Sequence, residues 1–165
     1  MYSPYYRTIR IFTVFIAVFM LSTPMLAQDT SDEDWKKSQA EMKAMFGTVP
    51  VMFTKMPAHV RVSSWNWFKT TQFDPNAVIP PKYSELMSLA VASQIPCEYC
   101  IYAHTTMAKM LGATDEEIKE AVMKAGEVRN WSTVLNGNSV DFEKFKTEWD
   151  AILAFVKAHS KKESQ

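Results

Sequence analysis

Glycine is nearly missing from this chain, at four residues in 165. Tight hairpins and left-handed turns lean on glycine, so a protein of many short strands is disfavoured. No segment alternates β-branched and polar residues over the length of a strand. Both absences point to helices. Cysteine is rarer still, at two, which excludes a disulfide-rich scaffold. Neither sign of charge dominates, with 18 Lys and Arg against 18 Asp and Glu. A nucleic-acid binder would show a basic surplus, so that class is set aside. Only one long apolar run exists, from Ile11 to Leu21. It is about half the ~20 residues that a membrane span needs.

That run has a recognisable setting. Arg7 and Arg10 precede it, and Ser22 to Ala27 lead into the polar stretch from Gln28. A basic start, a short apolar centre and a small residue at the end make a secretory signal peptide over residues 1–27. Cleavage is expected after Ala27, although Met25 is a poor match to the small residue usual two positions earlier. No cysteine follows the run closely, so a lipid-modified cysteine there is excluded. The expected location is periplasmic or secreted, with no membrane contact after cleavage. Removal of residues 1–27 takes away two arginines and no acid, leaving 16 basic against 18 acidic residues, a net of −2. Residues 28–160 suit a single domain with enough Trp, Phe, Leu, Val and Met for a core. Residues 161–165 read as a disordered tail.

Local signals predict about seven helices. The first spans residues 31–46, capped by Ser31 or Asp32 and ended by Gly47. Pro50 and Pro57 punctuate a short helix and open a longer one over 59–72. Residues 73–81 form a loop, and Pro81 starts the next helix. That helix stops at Ile95, because a residue before proline avoids the α region. Pro96 opens a helix that Gly112 ends. Thr114 and Glu117 form a capping box for its successor. After a break near Asn136 to Ser139, a last helix runs to about His159.

Both cysteines fall in one pattern, E-x11-C-x-x-C-x3-H, made by Glu85, Cys97, Cys100 and His104. On a helix with steps of ~100°, Cys97, Cys100 and His104 share an arc of about 60°. Cys97 and Cys100 are i,i+3 neighbours; Cys100 and His104 are i,i+4 neighbours. The preceding helix supplies the carboxylate. Thiol redox chemistry requires an attacking thiolate, a resolving thiol and a group that moves protons. Plainer readings exist for each. The cysteines could form a structural disulfide, although so short a loop stabilises little. Zinc would need a fourth ligand from His59, His159 or a carboxylate. Haem attachment fails because Ile101 stands where that motif has histidine. A thioredoxin-like site would need a βαβ setting. His104 alone could be a hydrogen-bonded helix histidine, and Glu85 a solvent-facing residue on an apolar helix. Trp65, Trp67 and Phe68 fit a core or subunit interface better than a substrate box. Tyr99 and Tyr102 could border the site entrance. No cofactor and no metal are expected.

The stretches PPKYSELMSLAVA, PCEYCIYAH and KMLGATDEEIKEAV carry a resemblance. From about Pro50 to Asn130 the chain resembles the alkylhydroperoxidase D-like (AhpD-like) branch of the carboxymuconolactone decarboxylase superfamily. The resemblance implies a compact all-α, trimer-forming fold, as trimers or trimer-based hexamers, with its core in residues 50–130. It also implies thiol-dependent reduction of hydroperoxides. By resemblance to the family's second cysteine, Cys100 attacks the peroxide and Cys97 resolves it. Glu85 and His104 then form the proton relay. Relatives draw electrons from a dihydrolipoamide-bearing or thioredoxin-like donor. An exported chain would need an exported dithiol reductant, or would run in the oxidising direction. Two rival functions are a lactone-acid decarboxylase or isomerase of the same superfamily, and a non-catalytic helical oligomer with a structural disulfide.

Overall fold

The computed structural model describes residues 24–160, with side chains from residue 32 onward. Most of the expected signal peptide, and all of the expected tail at 161–165, lie outside the described residues. Seven helices occur among the described residues, with no strand: α1 Pro24–Phe46, α2 Val51–Thr54, α3 Ala58–Gln72, α4 Pro81–Gln94, α5 Glu98–Met110, α6 Asp115–Gly137 and α7 Phe142–Ser160. The chain is all-α, as its composition predicted. Contacts divide it into two compact units that meet at Ala77–Val78.

The first unit holds α1 to α3. α1 starts seven residues before the expected cap at Ser31. No glycine or proline lies between Met25 and Phe46, so nothing interrupts the helix. Proline is also tolerated in the first turn, where its missing N–H has no partner to lose. Gly47 ends α1 with φ 75°, and its N–H donates to the Lys43 carbonyl at 2.9 Å. Trp35, Met42, Phe53 and Trp65 form the core. Phe53 and Phe68 pack their rings against Trp65, edge-on and stacked respectively. Trp65 and Phe68 are therefore core residues, and Trp67 is exposed.

One polar group completes this core. Glu41 Oε2 accepts from Trp65 Nε1 at 2.8 Å and from Lys69 Nζ at 2.6 Å. The Lys69 hydrogen bond, and then that of Trp65, hold the Glu41 carboxyl below its usual value. A carboxyl with a lowered folded value adds stability above its unfolded value and loses it as pH falls through the folded one. Glu41→Gln should therefore flatten the acid limb of the stability curve below the ordinary glutamate range. Urea unfolding at stepped pH values measures this; superimposable acid limbs would rule the contribution out.

The second unit holds α4 to α7. Pro81 occupies the first turn of α4, as expected. Leu86, Leu89 and Ala92 are buried, and α4 packs against both α5 and α6. Ile95 caps α4, and the Cys97 N–H donates back to the Ala92 carbonyl at 3.2 Å. Gly112 turns the chain with φ 85°. The predicted capping box then opens α6. The Thr114 N–H donates to Glu117 Oε2 at 2.8 Å, and the Glu117 N–H donates to Thr114 Oγ1 at 3.1 Å. Lys82 of α4 reaches the other Glu117 oxygen at 2.7 Å. Thr114→Ala removes one arm of this box and should cost about 1 kcal/mol. A shift of the urea midpoint at constant slope would report it.

Candidate dithiol site

All four predicted site residues lie on α4, on α5 or at the turn between them. Glu85 falls on the buried face of α4, at i, i+4 and i+7 with Leu89 and Ala92, and is 7% exposed. A carboxylate in such a place needs a polar partner, since burying an unpaired charge is costly. His104 supplies it. Its Nδ1 lies 2.7 Å from Glu85 Oε2, across 19 residues of sequence. Cys100, His104 and Ala108 follow at i, i+4 and i+8 along α5, and Ala108 is fully buried. That stripe brings the imidazole to α4.

The cysteines occupy the first turn of α5, with one correction to the expected placement. Cys97 is not inside the helix. It is the N-cap, with φ −90° and ψ 100°, and its Sγ accepts the Cys100 N–H at 3.3 Å. The extended backbone of Cys97 sets the boundary, so the helix begins at Glu98 rather than at the proline; Ile95, expected to avoid the α region before Pro96, instead has φ −83° and ψ −5°. The pair is still close. The Cys97 and Cys100 sulfurs stand at disulfide distance, with Cα atoms 5.3 Å apart. Disulfides favour Cα separations of about 4.4–6.8 Å.

The site can do the following chemistry. Two sulfurs can exchange between dithiol and disulfide without large backbone movement. Backbone N–H groups of a helix's first turn favour negative charge there, which assists a thiolate. With Nδ1 held by the Glu85 carboxylate, the Nε2 atom of His104 remains for a thiol, a water or a substrate. The imidazole–carboxylate contact is the base–orienter half of the nucleophile–base–orienter arrangement, with Cys100 one helical turn before the base. Tyr99 and Tyr102 are exposed on α5, at 88% and 74%. His59 is exposed on α3, and the His159 Nδ1 lies 2.8 Å from the Phe155 carbonyl of its own helix; neither belongs to the site. Among the described residues no group of three or more His, Cys, Asp or Glu is placed to hold a metal.

Two supporting residues had no signal in the sequence. Gln94 Nε2 donates to the Ala125 carbonyl of α6 at 2.7 Å, and Arg129 Nε donates to Gln94 Oε1 at 2.7 Å. They tie the last turn of α4, just before Pro96 and Cys97, to the middle of α6. Their spacing of 35 residues matches no motif.

A helical unit with a dithiol at a helix start, backed by a buried Glu–His pair, is a distinct class of site. Residues 64–140 match the Carboxymuconolactone decarboxylase family. The fold is similar to the crystal structure of the alkylhydroperoxidase AhpD core from Rhodospirillum rubrum, with a TM-score of 0.58 and 21% identity, covering 72% of this chain and 90% of that one. The fold is AhpD-like, and residues 64–140 are similar to the carboxymuconolactone decarboxylase family. It is also similar to "Uncharacterized protein 4 in cox locus" of Paracoccus denitrificans, 32% identical over 63 residues. That stretch is 38% of this chain and 57% of the relative, so the match spans little more than half the relative's length.

Proposed function

We propose that this protein is an exported thiol-dependent peroxidase that reduces hydroperoxides through a Cys97–Cys100 dithiol/disulfide cycle. One observation carries the reading. The two sulfurs stand at disulfide distance at the start of α5, and one turn further His104 is held by the buried Glu85. A structural bridge alone would not need a buried acid–base pair beside it. Superfamily members without a dithiol mechanism would not need the cysteines.

The cycle balances in three steps. The Cys100 thiolate attacks the distal oxygen of the hydroperoxide; the O–O bond breaks, Cys100 becomes a sulfenic acid and the alcohol leaves with a proton. The Cys97 thiol attacks that sulfur, forming the disulfide and releasing water. An external dithiol then reduces the disulfide by exchange and is itself oxidised. His104, through its Nε2 atom, takes the thiol proton and returns it to the leaving oxygen, directly or through water. Glu85 holds the ring and balances its charge.

The reductant is an exported thioredoxin-like dithiol, given the signal peptide read in residues 1–27. The location is the periplasm or the medium, and the protein works as a homo-oligomer. Lactone-acid decarboxylation and a purely structural bridge are the competing outcomes. Exposing the reduced protein to one equivalent of peroxide should produce an intramolecular Cys97–Cys100 disulfide. The bridged peptide would be seen by mass spectrometry after proteolysis. If both thiols still alkylate after peroxide, the peroxidase reading is lost.

A further inference from the structure

The turn that carries Cys97 has no apolar packing of its own. Ala92 is the last buried residue of α4, and none of residues 93–107 is buried. Ile95 is 65% exposed. A helix end with so few buried contacts opens easily. Hydrogen bonds are what hold it. The Ile95 N–H donates to the Val91 carbonyl at 3.1 Å, and the Cys97 N–H to that of Ala92 at 3.2 Å. Both bonds run back along α4, so they fix the turn only as firmly as the end of α4 is fixed.

Gln94 fixes that end to another helix. It is the last residue of α4, three positions before Cys97, and both halves of its amide are engaged. Nε2 donates to the Ala125 carbonyl and Oε1 accepts from Arg129 Nε, each at 2.7 Å. Ala125 is a buried residue of α6, so the point of attachment is itself held. A carbonyl only accepts and a guanidinium only donates. An amide satisfies both at once, whereas a carboxylate in its place would satisfy Arg129 alone.

We propose that Gln94, backed by Arg129, is a positioning residue that sets how far the Cys97–Cys100 pair lies towards the disulfide. The inference rests on the dithiol reading of the site, but not on peroxide as the substrate. Cys100 rides on the first turn of α5, and Cys97 reaches it from the turn. A separation of three residues brings the sulfurs near each other but does not align them, and a disulfide closes only in a narrow geometry. Misplacement of about 1 Å can cost ~10²-fold in the effectiveness of two paired groups. With the end of α4 tied to α6, Cys97 is presented to Cys100 in one place. With the tie cut, it samples positions from which the bond cannot close. Glu85 and His104 meet each other away from this turn, so the tie acts on the sulfur pair and not on the relay.

Equilibration with mixtures of reduced and oxidised glutathione tests this with no peroxide present. The two protein thiols lose two electrons and two protons, and one glutathione disulfide becomes two glutathione thiols. Acid quenching and alkylation then count the protein thiols that remain. Gln94→Ala should lower the equilibrium constant for the Cys97–Cys100 disulfide by about tenfold, a shift of ~30 mV. Arg129→Ala removes one of the two bonds from an exposed position and should shift it the same way by less. The double variant should match Gln94→Ala, because one link can be cut only once. Thr114→Ala weakens the start of α6 without touching the turn, and should leave the constant unchanged. Helical circular dichroism should be kept throughout. If Gln94→Ala loses its helices, Gln94→Glu, which keeps the Arg129 contact and loses the one to Ala125, takes its place. A constant shared by the wild type and the single variants would overturn the proposal. So would additive shifts in the double variant, or an equal shift in Thr114→Ala. A wild type that forms no disulfide with oxidised glutathione would overturn the dithiol reading itself, and this inference with it.

Discussion

Cys100→Ser should reduce peroxide consumption to the level of buffer without protein, in the presence of any dithiol donor. The hydroxyl of serine is not ionised near neutral pH, whereas a free thiol with a pKa of about 8.5 already has a small thiolate fraction. Cys97→Ser should behave differently. It should permit one round of oxidation and stop at a sulfenic acid on Cys100, which dimedone would label. The structure makes this a clean comparison. Cys97 is the N-cap of α5, and serine is a preferred N-cap residue. The substitution therefore keeps the cap and removes only the resolving sulfur. If Cys97→Ser alone blocks the first oxidation, the order of the two sulfurs is reversed.

The second large effect concerns the relay. His104→Ala and Glu85→Gln should each slow peroxide reduction by about tenfold or more, since positioned acid–base groups commonly supply ~10²–10⁴-fold. A loss of fold could imitate this. His104→Ala leaves the buried Glu85 carboxylate without its partner, and breaking a buried pair is costly. The double variant His104→Ala/Glu85→Gln removes both partners and separates the two causes. It should recover stability without recovering rate. In His104→Ala the initial rate of thiol alkylation should rise at a higher pH than in the wild type, towards the ordinary free-thiol value. Unchanged pH profiles with undiminished rates would assign Glu85 and His104 to structure alone.

Much of this site could be read from the chain because its helices are punctuated. Pro81, Gly112 and the Thr114–Glu117 box each mark a boundary with a local physical cause, and α4 does stop before Pro96 although Ile95 keeps an α-region backbone. Helix bounds around the dithiol followed from them. What failed was finer or less local. Ser31 or Asp32 suits a cap, yet α1 begins at Pro24, because a cap does not stop a helix whose preceding residues also favour it. Cys97 was expected inside α5 on spacing alone, which cannot separate an N-cap from a first-turn residue. The contact of Glu85 with His104 was carried by resemblance, since which face of one helix meets another is not a local property. The Gln94 and Arg129 ties are of the same kind.

The four site residues lie within 20 consecutive positions, on two helices and the three-residue turn that joins them. A site closed by such near neighbours has little loop entropy to overcome, and local contacts form early in folding. Pairing α4 with α5 is enough to bring the imidazole to the carboxylate. The dithiol can therefore be in place while the rest of the chain is still arranging itself. That order matters wherever the chain folds among other thiols. The two thiols meet each other, three residues apart, before they can meet the thiols of other chains.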